Sequence, residues 1–182
     1  MNEVLKTIAA RYSCRGFTGE AVEKEKVAAI TLAAVQAPSG LNRQPWKISV
    51  LQSKAMIEEM DDTLMRLLAA QDDRSTYERM MSRGGKVFYN APCMFVVAKL
   101  PGTELDCGIV AENMALAATS LGLGNVICGM AAVLLNDKAG TEYKDLLVPK
   151  GYEFGIALLV GYPTSANSVP HKPDLSKIVY IE

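Results

Sequence analysis

The chain has 182 residues, 49% of them apolar and 21% charged, a length and composition that suit one domain with a real core. A net charge of −1 without a long basic run argues against nucleic acid as a main partner. No apolar stretch approaches a membrane span, and "MNEVLKTIAARY" carries acid and lysine inside its apolar pattern rather than a signal-peptide core, so a cytoplasmic location is expected. The four cysteines, Cys14, Cys93, Cys107 and Cys128, form no C-x-x-C pair, and the single histidine is His171. Zinc, iron–sulfur and histidine-dependent nucleophilic chemistry therefore lack support, and no metal is expected. If the protein is an enzyme, a cofactor carries its chemistry.

Taken in chain order, residues 2–10 read as a short helix with Val4, Leu5 and Ile8 on one face. "VEKEKVAAITLAAVQA" predicts a second helix that stops before Pro38. "PSGLNRQPW" is a loop by composition, and "WKISVLQ" alternates as a half-buried strand. Ser53 can cap a third helix whose apolar stripe is Met56, Ile57, Met60, Leu64, Leu67 and Leu68. "QDDRST" interrupts it, with helix resuming over 77–82. "CMFVVAK" is a mostly apolar strand after Pro92, and "PGTE" is a turn. "LDCGIVAENMALAATSLGLG" has apolar residues on more than one face and predicts a central, largely buried helix stopped by Gly122 and Gly124. Residues 137–147 predict a small helix, "FGIALLVGY" a buried strand, and the tail "VPHKPDLSKIVYIE" one last short strand. The irregular mixture of helices and strands indicates an α+β fold over residues 1–182 rather than a βαβ repeat.

"RYSCRGF" at 11–17 sets two arginines and a serine at alternate positions. In an extended chain Arg11, Ser13 and Arg15 face one side, and Tyr12 and Cys14 the other. Two guanidinium forks and a hydroxyl on one side suit an anion site, and the same residues suit a solvated loop.

Three stretches narrow the reading when taken together: "RYSCRGF", "APSGLNRQPWKISVL" at 37–51 and "LDCGIVAENMALAATSLGLGNVICGM" at 105–130. In this order they resemble the nitroreductase family of flavin mononucleotide (FMN) oxidoreductases. The resemblance continues through "YNAPCMFVV", "FGIALLVGYP" and "HKPDLSKIVY". It implies a mainly antiparallel sheet flanked by helices, a homodimer, and a C-terminal strand that can be exchanged between subunits. It implies tightly bound FMN, with NAD(P)H as reductant and a small acceptor such as a quinone or nitroaromatic compound. The reaction implied is a two-step exchange at flavin N5, the flavin carrying the redox chemistry and no side chain acting as a catalytic acid.

The same resemblance implies roles for particular residues. Arg11 and Ser13 would hold the phosphate, and Tyr12 would contribute backbone and packing. Arg15 would lie near N1 and the C2 oxygen, where a permanent cation favours the reduced, negatively charged ring. Pro38, Ser39 and Asn42 would meet the flavin held mainly by the other subunit, with Gln44 as nearby polar support. Cys128 and Gly129 would bring backbone to N5. Without the resemblance, Pro38 to Gln44 read as a helix terminator and polar loop, and Gly129 as a turn after a helix. Asp106, Glu112 and Asn113 on the central helix serve pocket or capping equally well. In the tail, His171 and Lys172 are alternative basic contacts. In the middle of the chain Arg66, Arg74, Arg79, Arg83 and Lys86 are all candidates. The chain is short for the family, which argues against the cap segments of dehalogenating or flavin-consuming relatives. A flavin-binding sensor or storage protein without turnover fits the same residues.

Overall fold

The computed structural model describes residues 1–164, 169–170 and 172–181. Its centre is strand β2, Cys93–Lys99, every residue of which is buried. Such a continuous apolar run needs neighbours on both edges and cover on both faces. β1, Trp46–Leu51, pairs antiparallel on one edge, with Ser49 opposite Val96. β4, Glu153–Gly161, pairs antiparallel on the other, with Ala157 opposite Val96, and β3, Gly124–Cys128, pairs antiparallel outside it. The sheet order is β1-β2-β4-β3.

Alternation along β2 divides the core in two. Met94, Val96 and Ala98 point to one face, and Cys93, Phe95 and Val97 to the other. The first face is covered by α3, Lys54–Ala69, through Ile57, Met60, Leu64 and Leu68, with help from α4, Ser75–Met81, and α6, Ala131–Leu135. The second is covered by α2, Lys24–Val35, and α5, Glu104–Ser120. α5 buries Cys107, Val110, Ala111, Met114, Ala115 and Ala118, and its Asn113 donates to the Ala33 carbonyl of α2 at 3.1 Å. Small residues on α5 let it lie close to both sheet and helix. Ser53 caps α3 by accepting from the Met56 N–H at 3.3 Å, as its position before the apolar stripe indicates.

α1, Glu3–Ala10, is different: it buries no residue, and Val4, Leu5 and Ile8 stand exposed. The four cysteines are buried, and none forms a disulfide. No helix among the described residues is long and apolar enough to cross a membrane.

Three sequence expectations need correction. Gly122, not Gly124, ends the central helix. It takes a φ of +76°, and the Leu123 N–H returns to the Ala118 carbonyl at 3.0 Å, closing the last turn. Gly124 instead opens β3, which was not anticipated, nor was α6 immediately after it. The helix expected over 137–147 is a 3-10 turn at Lys138–Gly140 followed by α7, Thr141–Leu147. The last strand expected in the tail is not formed within the single chain. Its described residues carry only a 3-10 turn at Leu175–Lys177, because a strand needs an edge to pair with and this tail runs past α1 rather than along the sheet.

The segment 13–18 is threaded through the end of this sheet. Ser13 bridges Asn125 in parallel, and the Cys14 N–H donates to the Asn125 carbonyl at 2.8 Å. Phe17 bridges Pro163, its N–H reaches the Tyr89 carbonyl at 3.1 Å, and the Thr18 N–H reaches the Tyr162 carbonyl at 2.9 Å. Cys14 and Phe17 are buried beside Gly124, where a Cβ would lie 2.7 Å from Cys14 Sγ. Gly124→Ala should therefore destabilise the fold by about 1–3 kcal/mol through overpacking. Urea unfolding with an unchanged m value would show it, and a loss within ~0.3 kcal/mol would disprove the tight contact.

Candidate functional site

At the end of β3 the chain leaves a recess of about 240 Å³ between four segments. The extended 11–17 segment supplies Arg15, α4 and its exit supply Arg79 and Arg83, the following turn supplies Tyr89, and the β3–α6 junction supplies Cys128 and Gly129. These residues lie far apart in sequence and meet because β3 lies at the edge of the sheet, beyond β4.

Arg15 is exposed while its neighbour Cys14 is fully buried, as alternation requires. Its Nη1 donates back to the Ser13 carbonyl at 3.3 Å. Arg11 does not share the recess. It caps α1, its N–H donating to the Thr7 carbonyl at 3.0 Å, and lines a separate apolar cleft with Leu5, Ile8, Pro170 and Pro173. The two arginines of "RYSCRGF" therefore serve different recesses, with Ser13 between them on the β3 edge. Tyr12 packs against the α3-side core.

Gly129 is informative because nothing in the protein demands a glycine there. Its φ is not in the left-handed region, and a Cβ would meet only Ile156 Cδ1 at 3.7 Å, an ordinary contact. Without a side chain, residue 129 leaves its backbone bare towards the recess it lines. Beside it, burial pushes the Cys128 thiol up, against the pull of the Ala131 and Met130 N–H groups at the start of α6. Cys128 is a buried thiol in the wall of the recess.

The opposite wall is held by a residue that sequence reading missed. Asp61 on α3 is 2% exposed, and its carboxylate accepts from the Val87 N–H at 2.8 Å and the Phe88 N–H at 3.2 Å. The next two residues, Tyr89 and Asn90, sit at φ values of 53° and 64°, a conformation that costs side-chain-bearing residues about 1 kcal/mol or more each. Asn90 Nδ2 donates to the Phe17 carbonyl at 3.2 Å, so the strained turn is tied both to α3 and to the 11–17 segment. The signal was present in the sequence: Asp61 falls four residues after Ile57 and three before Leu64, on the apolar face of α3. Burial raises its pKa to about 6, although the Val87 and Phe88 N–H groups and Lys86 oppose the shift.

The structure also separates the mid-chain cations. Arg66 Nη2 donates to Thr63 Oγ1 at 2.9 Å, Arg74 stacks over the Tyr77 ring at 4.9 Å, and Lys86 pairs with Asp62 at 3.4 Å. Arg79 and Arg83 alone among these five line the recess.

The loop of Pro38, Ser39, Asn42 and Gln44 stays outside it. Ser39 Oγ accepts from the Gln44 N–H at 2.9 Å, Gln44 Nε2 donates to Asn42 Oδ1 at 3.1 Å, and the Gly40 N–H donates to Asp106 Oδ1 at 3.0 Å. Asp106 thus fastens this loop to α5, and Asn113 fastens α2. Leu41, Asn42 and Gln44 hold left-handed φ values of 54°, 52° and 48°, and Leu41 is 85% exposed. The tail residue Lys172 is exposed, and His171 lies outside the described residues. Among the described residues no group of three or more His, Cys, Asp or Glu is placed to hold a metal ion.

A match to the nitroreductase family extends over residues 8–162, which is most of the chain. The chain belongs to the nitroreductase family. A nitroreductase structure from Desulfitobacterium hafniense DCB-2, solved with bound FMN, superposes with a TM-score of 0.95 at 45% identity, covering 100% of both chains. Another, from Bacteroides fragilis NCTC 9343 and also with bound FMN, gives 0.89 at 28% identity over 100% of both. A protein of Archaeoglobus fulgidus, provisionally named an NADH dehydrogenase/NAD(P)H nitroreductase, is 28% identical over 172 residues, covering 90% of this chain and 87% of its own length. The family, the α+β class and the antiparallel sheet expected from the sequence are all borne out.

Asp61 gives this nitroreductase fold a testable pH signature. Its folded pKa of about 6 stands above the ordinary 3.8, so between these values the folded state holds more proton than the unfolded one. The stability it contributes is complete below the ordinary value and lost as pH rises through about 6. Asp61→Asn removes that titration and one acceptor. Wild type should gain on the variant as pH falls from about 7.5 to about 4.5, by at most ~1.4 kcal/mol per pH unit. Urea unfolding of both proteins across that range checks it, and a difference independent of pH would refute it.

Proposed function

We propose that residues 1–182 act as one FMN-binding domain and that the protein is an NAD(P)H-dependent oxidoreductase. It would pass reducing equivalents to a quinone, a nitroaromatic compound or a similar small acceptor in two successive steps at flavin N5. The observation that carries this reading is the recess that joins Arg15 to the Cys128–Gly129 backbone. The donor set fits a flavin ring, with a cation on one wall and a glycine that protein packing does not require on another. Bound FMN supplies the hydride-accepting ring; the protein's part is to hold it, orient it and set its charge.

Arg15 is the residue we assign to the N1–C2 edge. A fixed guanidinium there binds the ring more strongly once it has gained negative charge, which raises its tendency to be reduced. The backbone at Cys128 and Gly129 faces N5. Arg11 and Ser13 take the phosphate, with Lys172 or His171 as a further basic contact. FMN bound with Arg11 and Arg15 at opposite ends accounts for the two arginines lining different recesses. The test begins with protein stripped of flavin. It should bind FMN, and anaerobic NADH or NADPH should bleach the flavin absorbance, with recovery on adding a quinone. Arg11→Ala should weaken FMN about ten- to a hundredfold, the loss of a charge-assisted hydrogen bond, and riboflavin much less. A flavin that neither nicotinamide reduces would sink the enzyme reading, and equal losses for both flavins would sink the phosphate assignment.

The working form proposed is a homodimer in which Pro38, Ser39, Asn42 and Gln44 reach the partner's flavin. Support comes from surfaces that a lone chain leaves bare. α1 has no buried residue, and Val179, Tyr180 and Ile181 of the tail are at least 80% exposed. A tail without a strand of its own is free to pair with a second subunit. Interfaces of this kind bury on the order of 2,000–5,000 Å² in total. A cytoplasmic setting is supported by four buried cysteines that form no disulfide. Sedimentation at micromolar concentration should give a dimer, and a flavin-loaded monomer would rule out the shared site.

A further inference from the structure

Arg79 and Arg83 stand four residues apart, one in the last turn of α4 and one just past its Ser82 cap. Both line the same recess as Arg15. The lining thus carries three guanidinium groups and no carboxylate among the described residues. Neither Arg79 nor Arg83 has an ion-pair partner among those residues; the one hydrogen bond of their guanidinium groups there is Arg79 Nη2 to Thr76 Oγ1 at 3.5 Å, at the limit of a hydrogen bond. Asp61 lies behind the wall with its oxygens occupied by the Val87 and Phe88 N–H groups.

Resting on the flavin reading above, the charges do not balance with cofactor alone. The oxidised ring is neutral, and its reduced form carries one negative charge, which Arg15 answers. The phosphate is assigned to Arg11 and Ser13, in a different recess. Two positive charges are left over in a site partly walled by Met80, Val87, Val126 and Met130, where an uncompensated cation attracts an anion more strongly than on an open surface.

We propose that Arg79 and Arg83 select an electron acceptor that bears an anionic group, a carboxylate or sulfonate, directly on or next to its reducible ring. Arg79 and Arg83 line the recess assigned to the flavin ring itself, so the anion they meet is one carried close to the reacting ring. The pyrophosphate of a nicotinamide dinucleotide, by contrast, is separated from its reacting ring by a ribose. A carboxylate one bond from an aromatic ring stays beside that ring, and a guanidinium fork is suited to its two oxygens.

The test compares 4-nitrobenzoate with nitrobenzene, and 1,2-naphthoquinone-4-sulfonate with 1,2-naphthoquinone, on FMN-loaded wild type, Arg79→Gln, Arg83→Gln and the double variant. Two quantities are read: the anionic-to-neutral ratio of kcat/KM, and the ratio of dissociation constants from flavin difference spectra, which needs no turnover. Wild type should favour the anionic member of each pair by about tenfold or more, the size of one charge-assisted contact, and the double variant should lose most of that preference. Arg79→Lys with Arg83→Lys should restore part of it by keeping the charge without the fork. A preference absent from wild type, or unchanged in the double variant, overturns the proposal. So does loss of FMN affinity with the ratio preserved, which assigns the arginines to the cofactor. A change confined to the KM of NADPH or NADH overturns it as well, in favour of the reductant's phosphates. Wild type that binds the anions selectively yet turns over nothing refutes the oxidoreductase reading and the acceptor role with it, while upholding the anion selectivity of Arg79 and Arg83.

Discussion

The close approach of Cys14 to Gly124 is the constraint on which the recess depends. Because residue 124 has no side chain, the extended 13–17 segment can lie against the start of β3 with Cys14 fully buried. The hydrogen bond from the Cys14 N–H to the Asn125 carbonyl then fixes its register. Once Cys14 points inward, the period-two geometry of an extended chain leaves Arg15 pointing out, over the end of the strand that carries Cys128. A slip of one residue would bury the guanidinium and expose the thiol, which burial energetics forbids.

A second set of contacts makes this placement rigid. The 11–17 segment is tied to the Tyr89 turn by the Phe17 N–H and by Asn90, and that turn is tied to α3 by Asp61. Two consecutive left-handed residues persist there because two parts of the fold, α3 and the 11–17 segment, hold them. The carboxylate that does this is itself costly to bury. A cavity wall built this way is preorganised: strain and desolvation are met in folding rather than when a ligand arrives.

The distribution of bare apolar surface completes the physical picture. The sheet and its flanking helices are closed on both faces by α2 and α5 on one side and α3 and α6 on the other. α1, Leu41 and the C-terminal residues are left without cover. The loop that holds Leu41 outward is stiffened by three left-handed residues and fastened to α5 through Asp106, so its exposure is built in rather than loose. A rigid exposed loop and an uncovered apolar helix suit surfaces that work against another molecule.

Much of this was legible in the sequence. The apolar run of 93–99, the stripe of α3 with its Ser53 cap, and the small-residue helix over 104–120 each follow from short-range periodicity. "RYSCRGF" taken with "APSGLNRQPW" was enough to indicate the family. β3 was hidden because "GNVIC" is five residues between two helices, too short for a period to register, and because either of two nearby glycines could end α5. Asp61 was hidden in plain view, since a lone carboxylate on an apolar face says nothing of which N–H groups it will meet. The sequence by itself determined the longer helices and strands and which way Arg15 faces relative to Cys14, because those depend on neighbours one to four residues away. Only the tertiary structure decided that Arg79 and Arg83, rather than Arg66, Arg74 or Lys86, join Arg15, and that Arg11 faces elsewhere. Those choices depend on where β3 lies in the sheet, and the pairing of distant strands is a property of the whole chain.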